Sequence, residues 1–308
     1  MKLSVVTTLY KSKPFLEEFL RQMLEALKVI GIDDFEIIFV NDGSPDDSVQ
    51  YLLERKKEIS SIKIIDLSRN FGHHYAMQAG LGFAKGDYVF LIDNDLETPP
   101  GVLTEYYNEM IKDSTLDVVY GYQEARKGNA VEKKTGSIFW ILINKLSDTK
   151  IPHNIVTERL MTQQYVQELL RLQDANLFMG GMMYWVGFNQ KGIPVTKGQR
   201  AQPSTYSFKK RAQLMLQAIT SFSGKPLEWL FYFGITISFF SFAFLVFIAV
   251  EKIIHQDEIQ LGWTSIVAIN VLILGIISTF LGIIGIYIYK IFRQVQGRPN
   301  AIIKKIHE

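Results

Sequence analysis

Asp87-Tyr88-Val89-Phe90-Leu91-Ile92-Asp93-Asn94-Asp95-Leu96-Glu97 is the stretch whose reading decides the fold. Its first half is almost wholly apolar and holds no turn residue, as a strand buried on both faces of a parallel sheet requires. Its second half sets two carboxylates either side of one residue, with a third two positions on. In open α/β sheets the ligand crevice lies beyond the carboxyl ends of the strands, where these acids fall. Hard oxygen donors clustered there suit Mg²⁺ or Mn²⁺, ions that complete their shells with substrate phosphates. The competing reading is a solvated acidic turn, or a helix cap ahead of the helical pattern after Pro99-Pro100.

Outward from this stretch, strands alternate with helices. Strands are predicted at 3–8, 35–40, 62–67, 87–92 and 116–120, and helices at 13–29, 45–59, 74–84 and 99–111, with Ser44 as N-cap of the second helix. This βαβα order predicts a doubly wound, mostly parallel sheet with helices on both faces. Beyond Gly121 the pattern turns helical, at 132–146 and 163–172, and two short strand candidates follow at 182–186 and 194–197. That change predicts a subregion packed over the functional edge of the sheet.

The carboxyl-terminal third reads differently. Residues 230–250 form a run of 21 without a charge, and residues 260–289 a run of 30. At ~1.5 Å per residue each is long enough to cross a hydrocarbon core of ~30 Å. The connector from Glu251 to Glu258 has one Lys against three acids, whereas Lys209, Lys210, Arg211, Lys225, Lys290, Arg293, Arg298, Lys304 and Lys305 flank the pair. The positive-inside rule therefore places both termini in the cytoplasm. Trp229, Tyr232, Trp263, Tyr287 and Tyr289 sit near the span ends, where amphipathic rings prefer the interface. The predicted organisation is a cytoplasmic domain at 1–207, a juxtamembrane amphipathic region at 208–226, a two-helix transmembrane hairpin at 227–290 and a cytoplasmic tail at 291–308. A net charge of +2 gives no case for nucleic acid as a partner, and the basic residues cluster instead where a domain rests on anionic lipid. The absence of cysteine excludes disulfides, thiol catalysis and cysteine-ligated metals.

Three predicted strand ends carry polar residues together: Thr7-Thr8-Leu9-Tyr10, Asn41-Asp42-Gly43-Ser44 and Asp93-Asn94-Asp95. Neither G-x-G-x-x-G nor a Walker A sequence is present, so ordinary dinucleotide and P-loop readings fail. Val5-Val6-Thr7-Thr8-Leu9-Tyr10, Val40-Asn41-Asp42-Gly43-Ser44, Arg69-Asn70-Phe71-Gly72, Gly86-Asp87-Tyr88 and Asp93-Asn94-Asp95-Leu96-Glu97-Thr98-Pro99-Pro100 resemble family 2 glycosyltransferases of the GT-A fold. More narrowly, the chain resembles the branch that includes dolichol-phosphate mannose synthase and bacterial undecaprenyl-phosphate glucosyltransferases. Arg159-Leu160-Met161, Ser204-Thr205-Tyr206 and Ser221-Phe222-Ser223-Gly224-Lys225-Pro226-Leu227 fit that branch.

The resemblance implies a role for each matching position. Thr8, Tyr10 and Asp42 would contact the nucleobase and ribose, although strand-end packing also explains Tyr10 and a turn explains Asp42. Asp93 would face the nucleotide and the Mg²⁺ or Mn²⁺ ion, and Asp95 would bind the ion beside the diphosphate. Glu97 is either a third metal ligand or a helix cap. Lys197 and Arg200 would reach the diphosphate from a loop. Arg126, Lys133, Ser137 and Arg159 would grip an acceptor phosphate, with Lys133 and Ser137 four apart on one helix face. Asp93, Asp95, Arg126 and Arg159 make up the expected catalytic set.

Several positions depart from the family pattern. Thr8 stands where Pro is common, Lys11 where Asn is common, Asn41 where a first Asp is frequent, and Gln123 where relatives carry Arg. His73-His74 follow Gly72 where a Lys is usual; they face the diphosphate or pack against neighbours. Val156-Thr157-Glu158 replaces Gly-Asp-Phe, so an acid proposed as base in relatives is missing or displaced to Glu158.

The expectation is thus an inverting glycosyltransferase of the bacterial inner membrane. It would move sugar from a nucleotide diphosphate sugar, with UDP as nucleotide, to undecaprenyl phosphate at the cytoplasmic face. A flippase and a downstream glycosyltransferase would handle the product. Gly275, Ser278, Gly282 and Gly285 give the second span a small-residue face that serves a homo-oligomer or packing within the hairpin equally well. Two alternatives stand beside this: transfer to a hydroxyl of a lipid-linked glycan, with Glu158 or another acid as base, and a catalytically silent membrane scaffold.

Overall fold

A computed structural model of the chain describes residues 1–123, 152, 154–196, 224–254 and 263–308. Their centre is an eight-stranded sheet. Strands β1 (Leu3–Leu9), β2 (Phe35–Asn41), β3 (Ile62–Leu67) and β4 (Tyr88–Leu91) alternate with helices α1 (Leu16–Val29), α2 (Ser48–Lys56), α3 (His73–Leu81) and α4 (Val102–Lys112). Then come β5 (Val118–Tyr122), β6 (Ile155–Thr162), α5 (Gln163–Arg171), α6 (Met179–Trp185) and β7 (Gln190–Pro194). The chain ends in two long helices, α7 (Lys225–Ile254) and α8 (Trp263–Val295), and a last strand, β8 (Ile303–His307). The sheet order is β7-β5-β6-β4-β1-β2-β3-β8.

β1 pairs in parallel with β2 and β4, and β2 with β3, as the alternating pattern predicts. β6 is antiparallel to both β4 and β5, and β8 is antiparallel to β3. Apolar side chains fill both faces. Leu3, Val5, Phe19, Met23, Leu103 and Tyr106 pack on the α1–α4 side, and Val6, Ile38, Met77, Leu91, Met161 and Met183 on the α3–α5–α6 side. α3 lies close on β1 and β2 because Gly80 has no side chain; a Cβ there would sit 2.6 Å from Val6 and 2.7 Å from Val40.

Three expectations need correction. The 182–186 segment, predicted as strand, forms the last turn of α6 and its C-cap Val186, because Met179, Met182 and Met183 bury one face at helical spacing. The second edge candidate is β7, which begins at Gln190 rather than Pro194. Ser44 does not cap α2, which begins at Ser48; Asp46 draws the Ser44 and Ser48 hydroxyls to one oxygen at 2.6 Å each, and so tightens the turn first. Within the segment at 291–308, α8 continues to Val295 and the last residues complete the sheet edge as β8.

The two uncharged runs correspond to α7 and α8, of 30 and 33 residues, with Phe233 and Phe280 in edge contact at 5.8 Å. Within α8, the stretch Gly275–Val295 is long and apolar enough to cross a membrane, and it is the one helix stretch found to be so among the described residues. The helix predicted at 132–146, most of the juxtamembrane region and the connector between the long helices lie outside the described residues.

Candidate active site

The carboxyl ends of β1, β2 and β4 and the start of α3 meet at one edge, where polar side chains hold the loops to one another. Asn94, buried, donates from Nδ2 to the Thr8 carbonyl at 2.7 Å and ties the acidic loop to β1. Asp95 accepts the Glu97 backbone N–H at 3.0 Å, closing a short turn. Leu96 inside that turn has φ of 61°, a left-handed conformation that costs a leucine ~1–2 kcal/mol and is held by the packing of its side chain on the core. The loop that presents Asp93 and Asp95 is therefore fixed at both ends.

Asp42 is 3% exposed, and its carboxylate accepts the Phe71 N–H at 2.7 Å and the Gly72 N–H at 3.0 Å. It thereby pins the turn into α3, a helix with no side-chain cap of its own. Burial pushes the Asp42 carboxyl above its ordinary range, against the pull of those two amides. Gly43 beside it has φ of +63°, and a Cβ would stand 2.6 Å from the Asn70 nitrogen, so the β2 and 69–72 loops touch backbone to backbone. Asn41 bridges Asp66 and the Ser44 N–H at 2.9 Å each, and the Ser44 hydroxyl receives the Lys11 N–H at 2.7 Å. Tyr10 is 53% exposed at the rim, with the Lys11 ammonium 5.9 Å from its ring centroid.

His73 joins two of the predicted site residues. Its Nδ1 is 3.0 Å from the Thr8 hydroxyl and its Nε2 is 3.3 Å from Asp93 Oδ1. Burial among the loops lowers the His73 pKa, opposed by the charges of Asp42 and Asp95. His74 turns the other way, with Nδ1 3.3 Å from the Leu177 carbonyl and its ring against Phe178. The sequence left both histidines between ligand and packing roles. The structure brings one toward Asp93 and packs the other.

Asp93, Asp95 and Glu97 share one loop, and all offer hard carboxylate oxygens. No three His, Asp or Glu side chains converge as a ready metal cluster among the described residues. One or two carboxylates from this loop, with the remaining positions filled by phosphate and water, are the partial protein shell that Mg²⁺ accepts.

The missed strand β6 supplies the rest of the edge. Arg159 stands opposite Leu91 of β4 and Tyr120 of β5, two residues short of Asp93 in register. It is 2% exposed; Nε donates to the Thr157 carbonyl and Nη2 to the Val156 carbonyl, at 3.2 Å each. Its Nη1 is buried with no hydrogen-bond partner among the described residues. Glu158, its neighbour, points to the opposite face, as strand alternation requires, and lies fully buried near Tyr106 of α4. It is therefore not on the face where Arg159 stands. Arg126, Lys133, Ser137, Lys197 and Arg200 lie outside the described residues.

Glycosyl transferase family 2 matches residues 4–170, more than half of the chain. The chain belongs to that family. This family 2 glycosyltransferase is 37% identical to a protein of Mycobacterium tuberculosis classed among glycosyltransferases, over all of this chain and 89% of the relative. It is 30% identical to a prophage-derived bactoprenol glucosyl transferase of Shigella flexneri, over 100% of this chain and 99% of the relative. Among solved structures it is similar to a mannosyltransferase of Pyrobaculum calidifontis in complex with GDP-Man and Mn²⁺, at 16% identity and a TM-score of 0.49, covering 70% of this chain and 62% of the other.

Proposed function

We propose that the chain is an inverting glycosyltransferase that moves a sugar from a nucleotide diphosphate sugar, with UDP as the nucleotide, to undecaprenyl phosphate. The observation that carries this reading is the division of β6: Arg159, opposite Leu91 and two residues short of Asp93, and Glu158 stand on opposite faces of the strand, both buried. A polyprenyl monophosphate is ionised at neutral pH and attacks without a base; a glycan hydroxyl needs one. In the proposed step a phosphate oxygen forms a bond to the anomeric carbon as the bond from that carbon to the donor diphosphate breaks. The nucleoside diphosphate leaves from the opposite side, which inverts the centre. Asp93 and Asp95 would hold the Mg²⁺ or Mn²⁺ ion, with Glu97 as a third donor, and the ion supplies charge to the departing diphosphate. Tyr10 would stack on the base, Thr8 and Asp42 would hold the ribose side, and Lys197 and Arg200 would meet the diphosphate. Arg126, Lys133 and Ser137 would join Arg159 on the acceptor phosphate. The full-length similarity to a bactoprenol glucosyl transferase supports the same class of acceptor.

The same reading makes α7 and α8 two membrane spans. Strand β8 follows α8 and pairs with β3, so the sheet and the chain end share one side of any bilayer. The chain then crosses an even number of times between them, and α8 needs α7 as its return partner. Thr236, Asn270 and Thr279 each donate to the carbonyl four residues back, as polar side chains in lipid must find partners within the helix. The positive flanks favour a cytoplasmic domain at the bacterial inner membrane. Product would be passed to a flippase and a downstream glycosyltransferase.

The test uses purified full-length protein with undecaprenyl phosphate, Mg²⁺ or Mn²⁺ and a panel of radiolabelled nucleotide sugars. Butanol-extractable label that disappears with EDTA and with Asp95→Ala is the expected result and names the sugar. Release of nucleotide without lipid labelling would move the acceptor to a glycan hydroxyl, and no turnover with any donor would favour the scaffold.

A further inference from the structure

Strand β8 adds little to the core. Ile303, Lys304, Lys305 and Ile306 are exposed, and His307 is the one residue of the strand that is partly covered. What β8 covers is the open side of β3. Ile64 pairs with His307, Ile65 with Ile306 and Asp66 with Lys305, and the Ser68 N–H donates to the Ile302 carbonyl at 2.8 Å. These contacts run to the carboxyl end of β3. From there the 69–72 loop passes against Gly43 and gives two of its amides to Asp42.

His307 stands opposite Ile64, and its side chain reaches diagonally to Asp66, as long side chains on one face of a sheet can. Its Nε2 lies 3.2 Å from Asp66 Oδ2, with 14% of the histidine and 18% of the aspartate side chain exposed. The other aspartate oxygen, Oδ1, accepts from Asn41 Nδ2 at 2.9 Å, and Asn41 Oδ1 accepts the Ser44 N–H at 2.9 Å. This relay fixes the orientation of an amide. Turned over, Asn41 would set its NH₂ against the Ser44 N–H and its oxygen against a carboxylate, losing both bonds for two repulsive contacts. A carboxylate only accepts, so Asp66 selects the orientation that leaves Asn41 Oδ1 for Ser44. The carboxylate is itself held at both oxygens, at one by Asn41 and at the other by His307.

We infer that β8 braces the nucleotide side of the site: His307 is a positioning residue that, through Asp66 and Asn41, sets the 41–44 turn around Asp42 and with it the affinity for a nucleoside diphosphate. The inference rests on the nucleotide contacts proposed above for Thr8, Tyr10 and Asp42. It adds to them a residue two strands away from Asn41 that touches no ligand. What Asp66 requires of position 307 is a donor at the place of Nε2. Glutamine, whose amide nitrogen reaches about as far, supplies one, and leucine of similar bulk does not.

The experiment uses the full-length protein in detergent with two readouts, equilibrium binding of UDP and hydrogen–deuterium exchange over residues 41–46. His307→Leu is expected to weaken UDP binding about fivefold, the worth of one hydrogen bond, and to speed exchange of the Ser44 amide. His307→Gln should restore both, and Lys304→Ala, exposed on the same strand, should change neither. In an Asp66→Ala background His307→Leu should cost nothing further, because its effect passes through Asp66. Unchanged UDP binding in His307→Leu would overturn the inference, and so would additive losses in the double variant. An equal loss in His307→Gln would also overturn it and assign the effect to strand packing. Faster Ser44 exchange in His307→Leu, with no UDP binding by the unsubstituted protein, would defeat the nucleotide contacts proposed above while leaving the brace on the turn standing.

Discussion

Around β1, β2 and β4 the site edge is a web of polar side chains that hold one another. Asn94 grips Thr8, Asp42 grips the turn into α3, and Asn41 links Asp66 to Ser44. Around β6 and α6 the same edge is made of methionines and phenylalanine with one buried cation, Arg159. The first region is preorganised for a polar ligand of fixed shape, since its loops are set before anything binds. The second is suited to a ligand that brings its own charge and hydrocarbon. On the proposed function, two substrates of unlike chemistry would meet at an edge built in two ways.

The sharpest way to break this comparison is to remove one acid from the polar region. Asp95→Ala should lower kcat by ~10³-fold or more, as loss of a group that stabilises a leaving diphosphate does, and EDTA should reproduce the loss in the unsubstituted protein. Steady-state kinetics at saturating acceptor would show this. Next in size is Gly43→Ala. A side chain at φ of +63° aimed at the Asn70 backbone should cost about 3 kcal/mol by urea unfolding, from strain and overpacking together.

Arg159→Gln sharpens the contrast from the other side. It should cost ~10²-fold in kcat/KM for the lipid phosphate, with affinity for UDP unchanged within twofold. A matching fall in UDP affinity would mean that the two regions are one. The smallest effect lies away from both, at the amino ends of the strands. Glu36 is buried, receives Ser4 at 2.6 Å and the Lys85 N–H at 2.8 Å, and pairs with Lys63 at 2.8 Å. Burial pushes its carboxyl up, but Lys63, Ser4 and Lys85 together hold it below its ordinary value of 4.5. Its stabilisation is therefore present above pH 4.5 and is lost as pH falls through the lowered folded value. Glu36→Gln should cost about 2 kcal/mol at pH 7, and the difference from the unsubstituted protein should shrink below pH 4.5 in pH-dependent urea melts.

The two regions also differ in how readily the sequence revealed them. β1 to β4 are apolar runs ending in polar residues, so strand, edge and acids were legible together. β6 was not, because Glu158-Arg159 interrupts its apolar pattern with two charges that only opposite faces of one strand can bury. α6 was misread as strand, since five consecutive large apolar residues at 182–186 show no period of their own. β8 carried no strand signal, since Ile303 and Ile306 are three apart and so fall on opposite faces, and pairing with β3 across more than two hundred residues is a matter of tertiary contact. The roles of His73 and His74 depend on which way adjacent side chains turn at a helix start, which sequence spacing does not specify.

The central claim is that sugar alone passes to a lipid phosphate. A nucleotide sugar labelled with ¹⁴C in the sugar and ³²P in the β-phosphate, incubated with full-length protein and undecaprenyl phosphate, tests it most directly. The account predicts ¹⁴C in the butanol phase with all ³²P remaining in the aqueous nucleotide. Donor phosphorus that follows the sugar into the lipid, or nucleotide release with no labelled lipid, would contradict it.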